Sequence, residues 1–314
     1  FEFDGTVDYD GALVRVPRTF GFMSDGATFF ATSPNSSRAR YGLYVGEERG
    51  WGGSIFGGRF YGGDCPLRIG RDGDCTSWTI SGATVDHGRV ANLIGCNLAG
   101  STIRGNNIEH SDGLLNLALT GKTNGTNNHL LHSIGIENNY MFNSYSIGGP
   151  VEGTSAISVG LDLPGTEGWD GPGVITSSTD ATGISIKNNY IVSDHIEVPI
   201  RIRGIALVDI AHNTYHFAEG YGPFAEFSGV MASAKLGINR DQSGPTTPIF
   251  TSTASQRIRV DHLGSDSYKP TLIGSVTTGT YTTSTVEGAW SITDGTFRYN
   301  GHIVASQFSG FSGD

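Results

Sequence analysis

Six segments of this 314-residue chain carry one motif: an apolar residue, four mostly small or polar residues, and a second apolar residue five positions after the first. The segments are 55–60, 80–85, 103–108, 136–141, 186–191 and 210–215. They open on Ile55, Ile80, Ile103, Ile136, Ile186 and Ile210, and close on Phe60, Val85, Ile108, Met141, Ile191 and Tyr215. The opening positions step by 25, 23, 33, 50 and 24 residues, so a unit of about 24 residues recurs with insertions. An alternating strand pattern leads into the motifs, as at 77–80, 183–186 and 206–210, and a further short strand follows, as at 66–69, 90–94, 114–119, 198–202 and 224–227. Short strands of period two, about three per repeat and punctuated by Gly and Asn, describe one coil of a parallel β-helix. The fourth motif position holds Gly58, Ala83, Asn106, Asn139, Asn189 and Asn213. Asn tolerates a left-handed backbone at a tight corner, and stacked amides bond from coil to coil, so the four asparagines are expected to form a ladder.

Composition supports an all-β class. Gly supplies 47 residues and DEKR only 16% of the chain, while 16 Phe, 12 Tyr and 4 Trp are spread from end to end. No G-X-Y period is present, and the Ala/Glu/Lys/Leu signature of helical bundles is missing. A net charge of −10, from 20 basic and 30 acidic residues, offers no footprint for nucleic acid. No apolar run approaches a membrane span and no signal-peptide pattern opens the chain, so membrane insertion is not expected. The start at Phe1 fits a processed product or an excised fragment. Cys65, Cys75 and Cys96 fit neither a disulfide framework nor a zinc site, and read as thiols kept reduced in a cytoplasm. No cofactor is expected, and no metal either, since calcium requires a tighter Asp cluster.

The expected organisation is an N-terminal entry segment over 1–40, coils over 41–230, a Ser/Thr/Gly/Pro-rich linker over 231–256 and a small β-domain of hairpin-like strands over 257–314. The longest interruption, 142–182, carries Trp169 and several acids, and long loops on a rigid frame are where function concentrates.

Two regions resemble bacteriophage tailspikes and tail-fibre proteins of the pectate-lyase-like, right-handed β-helix superfamily. The first is the coil region with its Asn ladder. The second is Tyr268-Lys-Pro-Thr-Leu-Ile-Gly with Glu287-Gly-Ala-Trp290 and Gly295-Thr-Phe-Arg-Tyr-Asn-Gly-His302, which looks like the small β-domain that closes many phage tail proteins. Residues 20–28 are similar to the opening of such β-helices, without the usual D-x-T-x-A continuation. The resemblance implies a right-handed parallel β-helix with a small sandwich-like C-terminal domain. It also implies a homotrimer placed among other proteins of an extracellular virion tail after synthesis in the bacterial cytoplasm. Such proteins bind a bacterial surface polysaccharide, capsule or O-antigen, and often cleave it.

The repeat register makes neighbours of the residues that follow each motif: Asp86-His87, Glu109-His110, Phe142-Asn143 and Val192-Ser193, the last continuing into Asp194, His195 and Glu197. Glycoside hydrolysis needs one carboxylic acid and one carboxylate, about 5–5.5 Å apart for retention or about 6.5–9.5 Å for inversion. Asp86, Glu109 and Asp112 are candidates for both roles. The resemblance implies an acid on one coil facing acid-x-x-acid on the next; Asp86 with Glu109 and Asp112 has this form, and Asp194 with Glu197 repeats its spacing. The same residues read equally well as turn formers, Asp112-Gly113 being a turn signal itself.

A rival chemistry is β-elimination, in which a cation holds a uronate carboxylate and a nearby base takes a proton. Arg104 and Lys187 share a motif position, and His87 and His110 are expected beside them; these four, with His195 and Trp169, are candidate substrate-binding residues. Tyr61, Trp51, Trp78, Tyr140, Tyr145, Tyr190 and Tyr215 are further candidates for stacking on sugar faces, with Tyr140 and Tyr190 expected to stack on each other. Three functions stay open at this point: a polysaccharide hydrolase, a lyase, and a receptor binder without catalysis.

Overall fold

A computed structural model of the chain describes residues 1–2, 4–33, 37–71, 73–109, 115–120, 131–143, 151–160, 181–193, 196–203, 207–217, 225–228, 233–237, 239–241, 248–252, 258–260, 264–265, 274–276, 279–282, 290–293, 296–299 and 302–303. The described residues are all-β and contain no helix, and hence none long and apolar enough to cross a membrane. They form a 22-stranded sheet, a nine-stranded parallel sheet and a three-stranded antiparallel sheet. Every pairing in the 22-stranded sheet is parallel until its C-terminal end. This arrangement is compatible with a parallel β-helix.

The repeat fixes the register. The opening positions Ile55, Ile80, Ile103, Ile136, Ile186 and Ile210 pair one to the next in a single row on the large sheet. The closing positions Phe60, Val85, Ile108, Met141, Ile191 and Tyr215 form the matching row on the nine-stranded sheet. A third row runs Leu43, Leu67, Leu93, Leu117, Ile157 and Ile200. Nearly all of these side chains are completely buried, and they belong to one core cluster. Burying each contributes roughly 1.5–3 kcal/mol, which is why the apolar positions dictate the stacking.

Between the first two rows the chain turns a corner, and the corner corrects one expectation. The left-handed residue common to all six motifs is the third: Gly57, Gly82, Gly105, Asn138, Asn188 and His212 have φ between 56° and 69°, and at the fourth position only Gly58, at 83°, is left-handed as well. Release from the left-handed backbone leaves the fourth side chain free to point inward. Asn106, Asn139, Asn189 and Asn213 do form the expected ladder, and Asn239 extends it. Each Nδ2 donates to the next Oδ1 at 2.9–3.0 Å, from Asn106 through to Asn239. The same Oδ1 accepts the backbone N–H of the preceding ladder residue, and the second amide proton goes to the opening carbonyl one repeat back, as from Asn189 to Ile136 at 2.9 Å. These asparagines are buried with their amides satisfied, as a polar group in an apolar core must be.

The parallel pairing reaches beyond 41–230 in both directions. Within 1–40, Tyr9–Phe20 pairs with Ala39–Trp51, Met23–Asp25 with Ser54–Phe56, and Thr28–Phe30 with Arg59–Tyr61. Within 231–256, expected as a linker, Ser233–Leu236 pairs with Leu207–Ala211, Arg240–Asp241 with Thr214–Phe217 and Pro248–Ser252 with Ala225–Ser228, all parallel. Ser24, with Phe29 five positions on, takes the opening place of an earlier repeat, and Leu236 with Asp241 that of a later one. Ile258–Val260 still pairs in parallel with Ser233–Leu236 and also antiparallel with Gly274–Val276. Trp290–Thr293, Thr296–Tyr299 and His302–Ile303 make the separate antiparallel sheet. Cys65, Cys75 and Cys96 are buried and not joined in disulfides; burial pushes the Cys65 and Cys75 thiols up to about 12, so neither is a thiolate at neutral pH.

Candidate functional site

Strand alternation points Phe60, Val85 and Ile108 into the core and their neighbours outward from the nine-stranded sheet. Two outward rows result. One runs Phe30, Tyr61, Asp86, Glu109, Phe142, Val192; the other runs Thr28, Arg59, Thr84, Asn107, Tyr140, Tyr190. Asp86 and Glu109 therefore stand directly opposite each other on adjacent strands, whose spacing is about 4.8 Å. Aromatic side chains flank the acids on both sides.

Asp86 is buried although it faces outward. Arg59 Nη2 donates to its Oδ2 at 3.0 Å, and His87 Nδ1 meets Oδ1. His87 has a left-handed φ of 59°, and its ring lies 4.7 Å from that of Tyr61, over which Arg59 also sits at 5.4 Å. Burial alone would push the Asp86 carboxyl up, but the hydrogen bonds and charges of His87 and Arg59 outweigh it and hold the group below 3.8. Asp86 is thus a fixed carboxylate, not a proton donor.

Glu109 is half-buried. The Asn107 amide donates to its Oε1, and its backbone carbonyl accepts from Asn92 Nδ2 at 2.6 Å. Asn116 Nδ2 donates to the Ile108 carbonyl at 2.9 Å and is tied in turn to Asn143 at 3.2 Å, so buried amides fix the strand end that carries Glu109. Burial, followed by the Glu109 charge, pushes the Tyr140 phenol up, which places that carboxylate within electrostatic reach of the Tyr140 ring. Tyr140 and Tyr190 stack as expected, 5.8 Å apart at 7°, and both remain 39% exposed. Phe142 lies against Tyr140 at 6.2 Å.

Other sequence-predicted residues fall elsewhere. Glu197 lies on Ile196–Arg203 of the large sheet, ion-paired with Arg201 at 2.6 Å, and Arg201 also reaches Glu226 at 3.2 Å. It does not join Asp86 and Glu109. Arg104 and Lys187 share a row, separated by Glu137, but that row is on the large sheet, and Lys187 is paired with Asp209 at 2.7 Å. The expected juxtaposition with His87 is therefore not formed, because the motif corner lies between the two positions and moves the chain to the other sheet. His110, Asp112, Trp169, Asp194 and His195 lie outside the described residues, as does Tyr145. Trp78 and Tyr215 are core residues; Trp78 fills the space beside Gly53, where a Cβ would stand 2.2 Å from its ring. Trp51 packs edge-on against Phe20. Sequence reasoning placed Phe142 in the row of the acids without giving it a role, and missed Arg59 and Phe30, whose signal is outward alternation within the same rows. Among the described residues no three His, Cys, Asp or Glu side chains converge as a metal site.

The Asp86 ion pairs set an acid response. A carboxyl held lower in the folded than in the unfolded state stabilises the fold at neutral pH, down to about pH 4, and that contribution is lost as pH falls through the folded value. Asp86→Asn should be less stable than wild type at neutral pH, and acid titration followed by circular dichroism should show the gap narrowing below about pH 4. A gap independent of pH would show that the charge on Asp86 contributes nothing.

Comparison of the chain with family models, with curated proteins and with solved structures gave no match.

Proposed function

We propose that this chain is a tailspike-like receptor-binding protein, a right-handed parallel β-helix that lays a bacterial surface polysaccharide along the outer face of its nine-stranded sheet. In this reading it works as a homotrimer on a virion tail and hydrolyses the glycan between Asp86 and Glu109. The observation that carries the reading is the row in which these two acids stand in register between aromatic side chains. Aromatic faces suit the C–H side of a pyranose, and the acids supply the two groups that glycoside hydrolysis requires. Asp86, kept ionised by Arg59 and His87, takes the carboxylate role. Glu109 takes the acid role.

Reducing-end release from a panel of capsules and O-antigens tests hydrolysis. Products carrying the ultraviolet absorbance of an unsaturated uronate would replace it with β-elimination. A non-catalytic receptor binder is the second reading, and the engagement of Asp86 with Arg59 and His87 favours it, since an ion-paired carboxylate also serves simply to hold a surface together. Binding without release of any reducing end would establish that reading.

Both readings require the aromatic platform. Tyr140→Ala should weaken glycan binding about tenfold, equivalent to roughly 1.4 kcal/mol, with little change in stability because the ring is partly exposed. Unchanged affinity in calorimetric titration would remove this face from the binding site.

A further inference from the structure

One side chain joins the turn that follows Asp86 to the strand end that carries Glu109. Asn92 lies fully buried on Ala91–Cys96. Its Oδ1 accepts the Gly88 backbone N–H at 2.7 Å, two residues beyond Asp86, and its Nδ2 donates to the Glu109 carbonyl at 2.6 Å. A planar amide bonded at both ends does not stretch, so the two acid-bearing backbones are tied at one distance. Gly88 lets the turn close, since a Cβ there would stand 2.2 Å from the Ala91 carbonyl oxygen. With His87 in the left-handed region just before it, the backbone between Asp86 and Asn92 folds tightly.

The repeat itself does not call for this amide. The position before each member of the row Leu43, Leu67, Leu93, Leu117, Ile157 and Ile200 holds Gly42, Pro66, Asn92, Asn116, Ala156 and Pro199. Glycine, proline and alanine serve in the other repeats, and asparagine stands in the two whose closing strands, Thr84–Asp86 and Asn107–Glu109, carry the acids. Asn116, one repeat on, donates to the Ile108 carbonyl at 2.9 Å and so acts on the same strand from the other side. A buried amide costs stability unless its partners are in place, so a position where small apolar residues suffice gains nothing from one for folding alone.

We infer that Asn92 is a positioning residue that fixes the separation of Asp86 and Glu109, a role that rests on the hydrolytic reading of these two acids. It touches no reacting group and acts through the backbone at each of its ends. A displacement of about 1 Å separates the two modes of glycoside hydrolysis and can cost about 10²-fold in rate, so a loosened tie is read in turnover.

Asn92→Ala removes both bonds. Glycan cleavage should show a fall in kcat of about 10–100-fold with KM within about twofold, because the aromatic rows that hold the glycan are untouched. Asn213→Ala is the control: it deletes an equally buried amide from the ladder, away from the acids, and should leave kcat per folded molecule within about twofold. Asn92→Asp keeps the shape and the acceptor for Gly88 but loses the donor to Glu109; it should lose about tenfold, and carries the test if Asn92→Ala does not fold. Crystal structures of wild type and variant read the spacing of the two carboxyl groups directly, and it should change by about 0.5 Å or more. If wild type cleaves no glycan, the hydrolytic reading falls, while the spacing still decides what Asn92 does. Unchanged spacing in the variants, or an equal loss of kcat in Asn213→Ala, would overturn the inference.

Discussion

Asn189→Ala is expected to destabilise the protein by about 3 kcal/mol or more, since each buried polar group left without a partner costs about 1–3 kcal/mol. The side chain removed accepts from the Asn139 backbone N–H and from Asn139 Nδ2, and donates to the Ile136 carbonyl and to Asn213 Oδ1. The Asn139 N–H then loses its acceptor in a buried position, and the change is large beside a typical domain stability of about 5–15 kcal/mol. Asn189→Asp keeps the shape but turns a donor into an acceptor that faces Asn213 Oδ1, and should be at least as harmful. Urea unfolding gives the magnitude, and hydrogen exchange at the Asn139 amide gives the locality. A loss under about 0.5 kcal/mol, the range of an ordinary surface change, would mean that the ladder contributes nothing net.

Glu109→Gln is the largest functional effect expected. The substitution keeps the size of the side chain and its acceptor for Asn107, but removes the transferable proton, so glycan cleavage should fall by about 10²–10⁴-fold while binding survives. Glu197→Gln should leave cleavage within a few-fold, because Glu197 is held by Arg201 on the other sheet. The contrast between the two is the discriminating measurement. Equal turnover in wild type and Glu109→Gln would exclude Glu109 as the acid even if hydrolysis itself is real.

The frame was legible because its signal is periodic. Ile55 through Ile210 announce their row by spacing alone, and with it the register that brings Asp86 opposite Glu109. The end repeats were not legible. Ser24 replaces the opening apolar residue at one end, and Asp241 replaces the closing one at the other, so each loses half the pattern. The corner was misassigned by one position because Asn occurs at both the third and fourth places, and only the backbone separates a residue that turns the chain from one that points inward. Arg59 escaped notice because its value lies in Asp86, 27 residues away.

The asparagine ladder has a consequence beyond strength. Rows of Ile, Leu and Val are interchangeable: a strand displaced by two residues along its neighbour still buries an aliphatic side chain against another. Nothing in such rows distinguishes the native alignment from its near misses. An amide is different, because it presents a donor on one side and an acceptor on the other, and a displaced asparagine meets aliphatic groups that answer neither. Each correctly placed repeat offers the next one a single acceptable position, with a single orientation of the amide. The row from Asn106 to Asn239 thus works as a proofreading edge for a growing stack, rejecting errors that the apolar rows would accept.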